Sequence, residues 1–141
     1  HLPQRARTAV VHGDFRNGNF IVDESGIRAV LDWEIGHLGD PMFDLGWVCV
    51  RTWRFGGAQP VGGFGEREEL FRAYEEAGGG PVDPEHVFFW EAFGCLRWAL
   101  ICLQKGQAYR HGGGIEVEGL AIGRRMEEPL HDFLTLVFPK R

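Results

Sequence analysis

Two residues in the segment Val11-His12-Gly13-Asp14-Phe15-Arg16-Asn17-Gly18-Asn19-Phe20 draw attention first: the carboxylate of Asp14 and, five positions on, the carboxamide of Asn19. A second carboxylate, Asp32, closes the stretch that follows. Between Asn19 and Asp32, the apolar runs 20–22 and 27–31 flank Asp23-Glu24-Ser25-Gly26, which is turn chemistry, so the stretch reads as a β-hairpin. A hairpin returns its second strand beside its first, so Asp32 is expected near Asn19, with Asp14, Asn19 and Asp32 facing one cleft. Two carboxylates and an amide oxygen suit a hard cation that keeps several of its waters. Orienting a hydroxyl, accepting its proton and holding magnesium against phosphates is most of what phosphoryl transfer asks of a protein. Taken singly, each of these residues is an ordinary turn former. The weight lies on the three together.

Neighbouring side chains leave alternatives open. Arg16 could touch phosphate or an anionic substrate, or pair with Asp44 or Glu34. Glu34 is a candidate metal or substrate contact. His12 could ligate a metal or act as a base, but no second His stands at ligand spacing, so support of the loop is the better reading. Asp40 reads as a helix cap. Gly62-Gly63-Phe64-Gly65 follows no strand and reads as a flexible surface loop, not a phosphate cradle. Phe88, Phe89, Trp90, Phe93 and Trp98 recur at helical spacing and read as core. Glu91 and Arg97, in the same stretch, either meet substrate or form an ion pair.

The elements that must position these groups follow from the pattern. Residues 8–11 form a short strand before the polar loop 12–19. Asp40-Pro41 starts a helix to about residue 51, and 55–65 is a Gly-containing loop. Residues 66–77 form a helix that Gly78-Gly79-Gly80 ends. Asp83-Pro84 opens a long helix to about 107, apolar nearly all round and so expected to be buried and central. Gly112–Gly114 break the chain, and one amphipathic helix covers about 115–137, with Leu120, Met126, Leu130, Phe133 and Val137 inward. The fold class is α+β, mostly helical, as one domain over 1–141: catalytic loop and hairpin at 8–34, helices at 40–138.

The joint pattern HGDFRNGNF, a hairpin, LDWE and GDPMFDLGW, within residues 11–47, resembles the aminoglycoside phosphotransferase family and its choline-kinase and protein-kinase relatives. The resemblance implies the C-terminal lobe of a protein kinase-like fold, with Asp14 as catalytic base and His12 beside it in the catalytic motif. It implies Asn19 and Asp32 as Mg²⁺ ligands and Asp44 as the residue that anchors the catalytic loop from the next helix. It also implies ATP as co-substrate and a small-molecule hydroxyl as acceptor. On D-F-R-x-G-N and L-D-W-E, the chain is most similar to members found beside acyl-CoA dehydrogenases, which act on hydroxylated acyl groups. Trp33 stands where protein kinases place a Phe. The lobe with the phosphate-covering loop and nucleotide-orienting Lys would precede His1, so the chain is expected to begin inside a longer protein. An apolar face beside the cleft is then expected, covered by that lobe or by another chain.

Composition bounds the rest. The 141 residues are 44% hydrophobic and 25% charged, with net charge −5 and no Lys/Arg-rich stretch, which argues against a nucleic-acid or anionic-membrane surface. Residues 87–103 are read as too short and too interrupted to span a bilayer. Cys49, Cys95 and Cys102 form no C-x-x-C and read as reduced thiols in a cytoplasmic protein. Two other readings compete: a kinase-like module that binds a ligand or partner without catalysis, and a metal-dependent hydrolase, which lacks the ligands of a two-metal site.

Overall fold

The computed structural model describes residues 7–110 and 117–139. Strand β1 (Ala9–Val11) leads into the polar loop, which ends in one 3₁₀ turn, Asn17–Asn19. Strands β2 (Phe20–Asp23) and β3 (Gly26–Val30) then form the expected antiparallel hairpin, in register Phe20↔Val30. Asp23 shapes its turn by accepting from both the Ser25 N–H (2.8 Å) and the Ser25 hydroxyl (2.6 Å). A 3₁₀ turn, Trp33–Ile35, leads to β4 (His37–Gly39), which pairs antiparallel with β1, Val11 opposite His37. This strand is absent from the sequence reading. Three residues, the last a glycine, carry no periodicity, and only the long-range partner makes them a strand.

Helix α1 (Met42–Cys49) is shorter than the expected 40–51 and passes through the tight turn at Val50 into a 3₁₀ turn, Arg51–Arg54. Asp40 does cap it, accepting the Met42 N–H at 3.0 Å. Segment 55–65 is no open, flexible loop. Isolated bridges join Gln59 to Gly63 and Val61 to Gly65, Val61 is buried, and Gly62 N–H donates to the Val48 carbonyl. Gly63 is required there, because a Cβ would run into the Arg54 carbonyl. Helix α2 (Arg67–Tyr74) ends in a wide turn over Glu75–Gly79, where Gly78 takes φ +85°.

By contact the chain divides into two compact units, His1–Glu91 and Ala92–Arg141. In the first, Met42 and Leu45 of α1 and Val87 make one cluster with Leu70, Phe71 and Trp90 against it. Val48, Cys49 and Val61 make a second, which takes Phe15 from the polar loop. Burial pushes the Cys49 thiol up to about 12, so it is an inert core thiol.

Helix α3 (Pro84–Arg110) begins as expected, Asp83 accepting the Glu85 N–H at 3.0 Å. It is not buried all round: Phe88, Phe93, Leu100 and Leu103 are exposed. Over Pro84–Ala108 its length and composition would suffice to cross a bilayer, so shortness does not exclude that. The buried polar groups in its first three turns do argue for a core helix: His86 contacts Asp40, and Glu91 pairs with Arg67.

In the second unit, the single helix expected over 115–137 is two, α4 (Val117–Gly123) and α5 (Glu127–Val137). Pro129 is the reason. In a continuous helix its ring would strike the Arg125 carbonyl, whereas in the first turn of α5 its missing N–H costs nothing. Gly123 also lies against Gly106, where a Cβ would approach the Gly106 Cα to 2.6 Å. Leu120, Met126, Leu130 and Phe133 are half-buried, but Val137 is exposed. Gly112–Gly114 and Ile115 lie outside the described residues.

Candidate active site

The loop 12–19 is held from α1. One carboxylate, Asp44, accepts the His12 N–H at 2.7 Å with Oδ2 and the Gly13 N–H at 2.9 Å with Oδ1. Burial raises the Asp44 carboxyl above its ordinary value, against the lowering effect of these two bonds. Gly13 takes φ +85°, and an added Cβ would sit 3.0 Å from the Ile35 carbonyl oxygen, so only glycine fits the turn.

His12 is 2% exposed. Its Nε2 lies 2.7 Å from the Leu31 carbonyl, and its Nδ1 is 3.1 Å from the Asp14 N–H. A carbonyl can only accept and an N–H can only donate, so Nε2 carries the proton and Nδ1 the lone pair. The motif places His12 among the catalytic residues. In the structure both ring nitrogens face backbone and the ring packs on Trp33, centroids 4.5 Å apart, so it joins two loops and offers neither nitrogen to a ligand.

The expected return of Asp32 is built through its predecessor. Leu31 N–H donates to the Asn19 carbonyl at 2.8 Å, while the Leu31 carbonyl receives His12. Both backbone polar groups of Leu31 are therefore committed to the loop that carries Asp14 and Asn19. Asp32 itself is exposed and left-handed (φ 62°, ψ 54°), a conformation that costs a non-glycine residue about 1 kcal/mol or more. Glu34 is exposed on the following turn.

Asp14, with its side chain 23% exposed, receives three donors. Trp47 Nε1 donates to Oδ1 at 2.9 Å, and Asn19 Nδ2 donates to Oδ2 at 2.9 Å. Arg16 Nε is shared between the two oxygens at 3.2 and 3.1 Å. The sequence reading offered Arg16 to Asp44 or Glu34; it pairs with Asp14 instead. Asp44 is already filled by backbone N–H groups, and Gly18 leaves the space that the Arg16 guanidinium occupies. The guanidinium also lies over the Trp53 ring, 4.9 Å from its centroid. Asn19 is 2% exposed, and its Nδ2 also donates to the Asp14 carbonyl. Both partners are acceptors, so the amide is oriented and Oδ1 is its remaining acceptor.

Sequence reasoning assigned no role to Trp47 or Leu31. For Trp47 a signal existed: it lies one helical turn after Asp44 on α1, hence on the same face. For Leu31 there was none, since its contribution is backbone alone. Glu91 belongs elsewhere. It is 1% exposed, bonded to Arg67 at 2.7 and 2.9 Å with Arg54 at 4.0 Å, and so is a buried ion pair. Among the described residues, no three His, Cys, Asp or Glu side chains cluster as a metal site.

Against known proteins, the family model of the phosphotransferase enzyme family matches residues 1–84. Mouse (Mus musculus) acyl-CoA dehydrogenase family member 10 is 36% identical over 114 residues, 72% of this chain and 10% of that protein. A crystal structure at 2.32 Å of a protein assigned as an aminoglycoside phosphotransferase from Ralstonia eutropha is similar with a TM-score of 0.71 and 27% identity. That similarity covers 92% of this chain and 42% of the other. The chain thus spans about a tenth of the mouse relative and less than half of the bacterial one.

Proposed function

Because this chain belongs to the phosphotransferase enzyme family, we propose that it takes part in moving the γ-phosphate of ATP to a hydroxyl of a small molecule. Asp14 is the base. Its carboxylate orients the acceptor hydroxyl and takes its proton as the oxygen bonds to the γ-phosphorus and the bond to the β–γ bridging oxygen breaks, releasing ADP. The observation that carries this reading is the Asp14 carboxylate itself: open to solvent, fixed by three donors, on a loop bonded through Leu31 to the residue before Asp32.

The oxygen-only donors fit Mg²⁺. Asn19 has its Nδ2 committed to Asp14, which leaves Oδ1 for a cation, and Asp32 presents an exposed carboxylate from a conformation that costs energy to hold. Asn19 and Asp32 would hold the ion, which when bound supplies charge neutralisation for the phosphates. Arg16, partly exposed above Asp14, is the cation placed to meet a phosphate oxygen. Glu34, exposed on the turn after Asp32, is the proposed contact on the substrate side.

The acceptor to test first is a hydroxylated acyl group, on the similarity to the mouse acyl-CoA dehydrogenase family member. The exposed apolar side chains Leu31, Trp33 and Ile35 around Asp32 in the chain, with Ile21, Val22 and Ile27 of the hairpin, are the proposed seat of a nucleotide-binding lobe or another chain. The proposed setting is the cytoplasm, which suits free Cys49, Cys95 and Cys102.

The test is paired, in the protein together with its nucleotide-binding lobe. Asp14→Asn is expected to abolish most ADP release while keeping nucleotide affinity measured calorimetrically with Mg²⁺. Asp32→Ala is expected to weaken both. Equal losses of affinity in the two variants would refute this division of roles.

A further inference from the structure

We infer that Trp47 is a positioning residue for Asp14: its indole N–H holds the orientation of the carboxylate when Arg16 and Asn19 are also engaged by substrates. The inference rests on the reading of Asp14 as base.

A carboxylate has about four lone-pair directions, and a base must keep one for the incoming hydroxyl. Arg16 shares one Nε–H between both oxygens of Asp14 and is the most exposed of the three donors at 24%. An anionic phosphate competes for it directly. Asn19 is oriented by Asp14, but its oxygen is the proposed cation ligand, so its angle answers to two partners. Trp47 stands apart from Arg16 by its burial. It is 2% exposed, an indole only donates, and its N–H reaches Oδ1 at 2.9 Å. Its ring is held by stacking on Phe43 and by Trp53, centroids at 6.1 and 5.2 Å. Asp44, one turn earlier on α1, ties the loop backbone to the same helix. Helix α1 therefore fixes the base twice: its main chain through Asp44 and its side chain through Trp47.

The placement also assigns the direction of specificity. With Oδ1 tied towards α1, rotation about the Cβ–Cγ bond is restrained, and the lone pairs that Arg16 gives up, one on each oxygen, keep their bearing for the incoming hydroxyl. Loss of the indole N–H would leave a base that is present and charged but not aimed. The expected signature is a fall in turnover with nucleotide KM retained, which differs from that of a metal ligand.

The experiment has two arms. In the 141-residue chain labelled with ¹⁵N-tryptophan, Trp47→Phe identifies the Trp47 indole resonance by its loss, and the other indole signals report that the fold survives. Asp14→Asn is expected to move the Trp47 indole proton upfield, because an amide oxygen accepts more weakly than a carboxylate. Trp47→Phe is expected to shift the Asp14 carboxylate carbon, and Trp98→Phe to leave it in place. In the second arm, ADP release from MgATP is followed in the protein with its nucleotide-binding lobe. Trp47→Phe is expected to lower kcat about 10-fold or more, as loss of an orienting partner does, with KM for MgATP unchanged. An unmoved Trp47 indole in Asp14→Asn overturns the contact. A moved indole with kcat retained in Trp47→Phe, while Asp14→Asn is inactive, overturns the positioning role alone. Full turnover in Asp14→Asn removes the base and the inference with it.

Discussion

Two carboxylates in the first unit are served by a tryptophan indole, yet they sit in opposite circumstances. Asp14 takes Trp47 at 2.9 Å, and Asp40 takes Trp90 at 3.3 Å with His86 Nε2 at 2.7 Å from the same oxygen. Asp40 accepts a helix-start N–H and the Trp90 indole of α3, with His86 Nε2 in close contact, and its side chain is 8% exposed. Those of Asp14 come from its own loop and from α1, and the carboxylate stays open. A satisfied carboxylate is therefore not by itself a site. Asp40 ends its work by closing a corner between helices, whereas Asp14 keeps a solvent face that none of its donors covers.

The largest expected effect separates them most sharply. Asp14→Asn should lower ADP release by about 10²–10⁴-fold, the usual weight of a general base, with the urea midpoint barely moved. Asp40→Ala should do the reverse: it leaves the Met42 N–H and the Trp90 indole without this acceptor and His86 without its contact, a loss of about 2–3 kcal/mol in urea unfolding. If Asp40→Ala kept full stability, or Asp14→Asn full turnover, the contrast would collapse. Next, Gly13→Ala forces a left-handed alanine against Ile35 and should cost about 1–2 kcal/mol in the same assay. A neutral result would mean that the loop can re-route without losing the two bonds to Asp44.

The smallest effect is a pH dependence. Burial raises the folded-state Asp44 carboxyl above its ordinary 3.8, so the folded state holds that proton more tightly than the unfolded chain does. The contribution of this group to stability is fully present below 3.8 and is lost as pH rises through the raised value. Unfolding midpoints of the unsubstituted chain minus those of Asp44→Asn should accordingly fall over that window. A difference that grows with pH would show that the His12 and Gly13 N–H bonds outweigh burial.

Local chemistry made much of this legible. Asp23-Glu24-Ser25-Gly26 announced the hairpin, Asp40-Pro41 and Asp83-Pro84 announced helix starts, and Asp14, Asn19 and Asp32 stood out by type and spacing. Pro129 is a local signal as well: a proline cannot sit inside one continuous helix over 115–137, and the chain forms two there.

What the chain by itself determined is the identity of the acidic and amide groups and the turn that brings the third back to the first two, because turns and caps are settled by residues within a few positions of one another. The tertiary structure decided what holds those groups. His12 faces backbone, Leu31 contributes only its peptide groups, Arg16 leaves Asp44 for Asp14, and Trp47 reaches Asp14 across 33 positions. Such contacts depend on which elements pack together, and β4 shows the same dependence, being a strand only because β1 lies beside it. A donor's partner is fixed by distance and direction in space, and residue order constrains neither once the separation exceeds a turn.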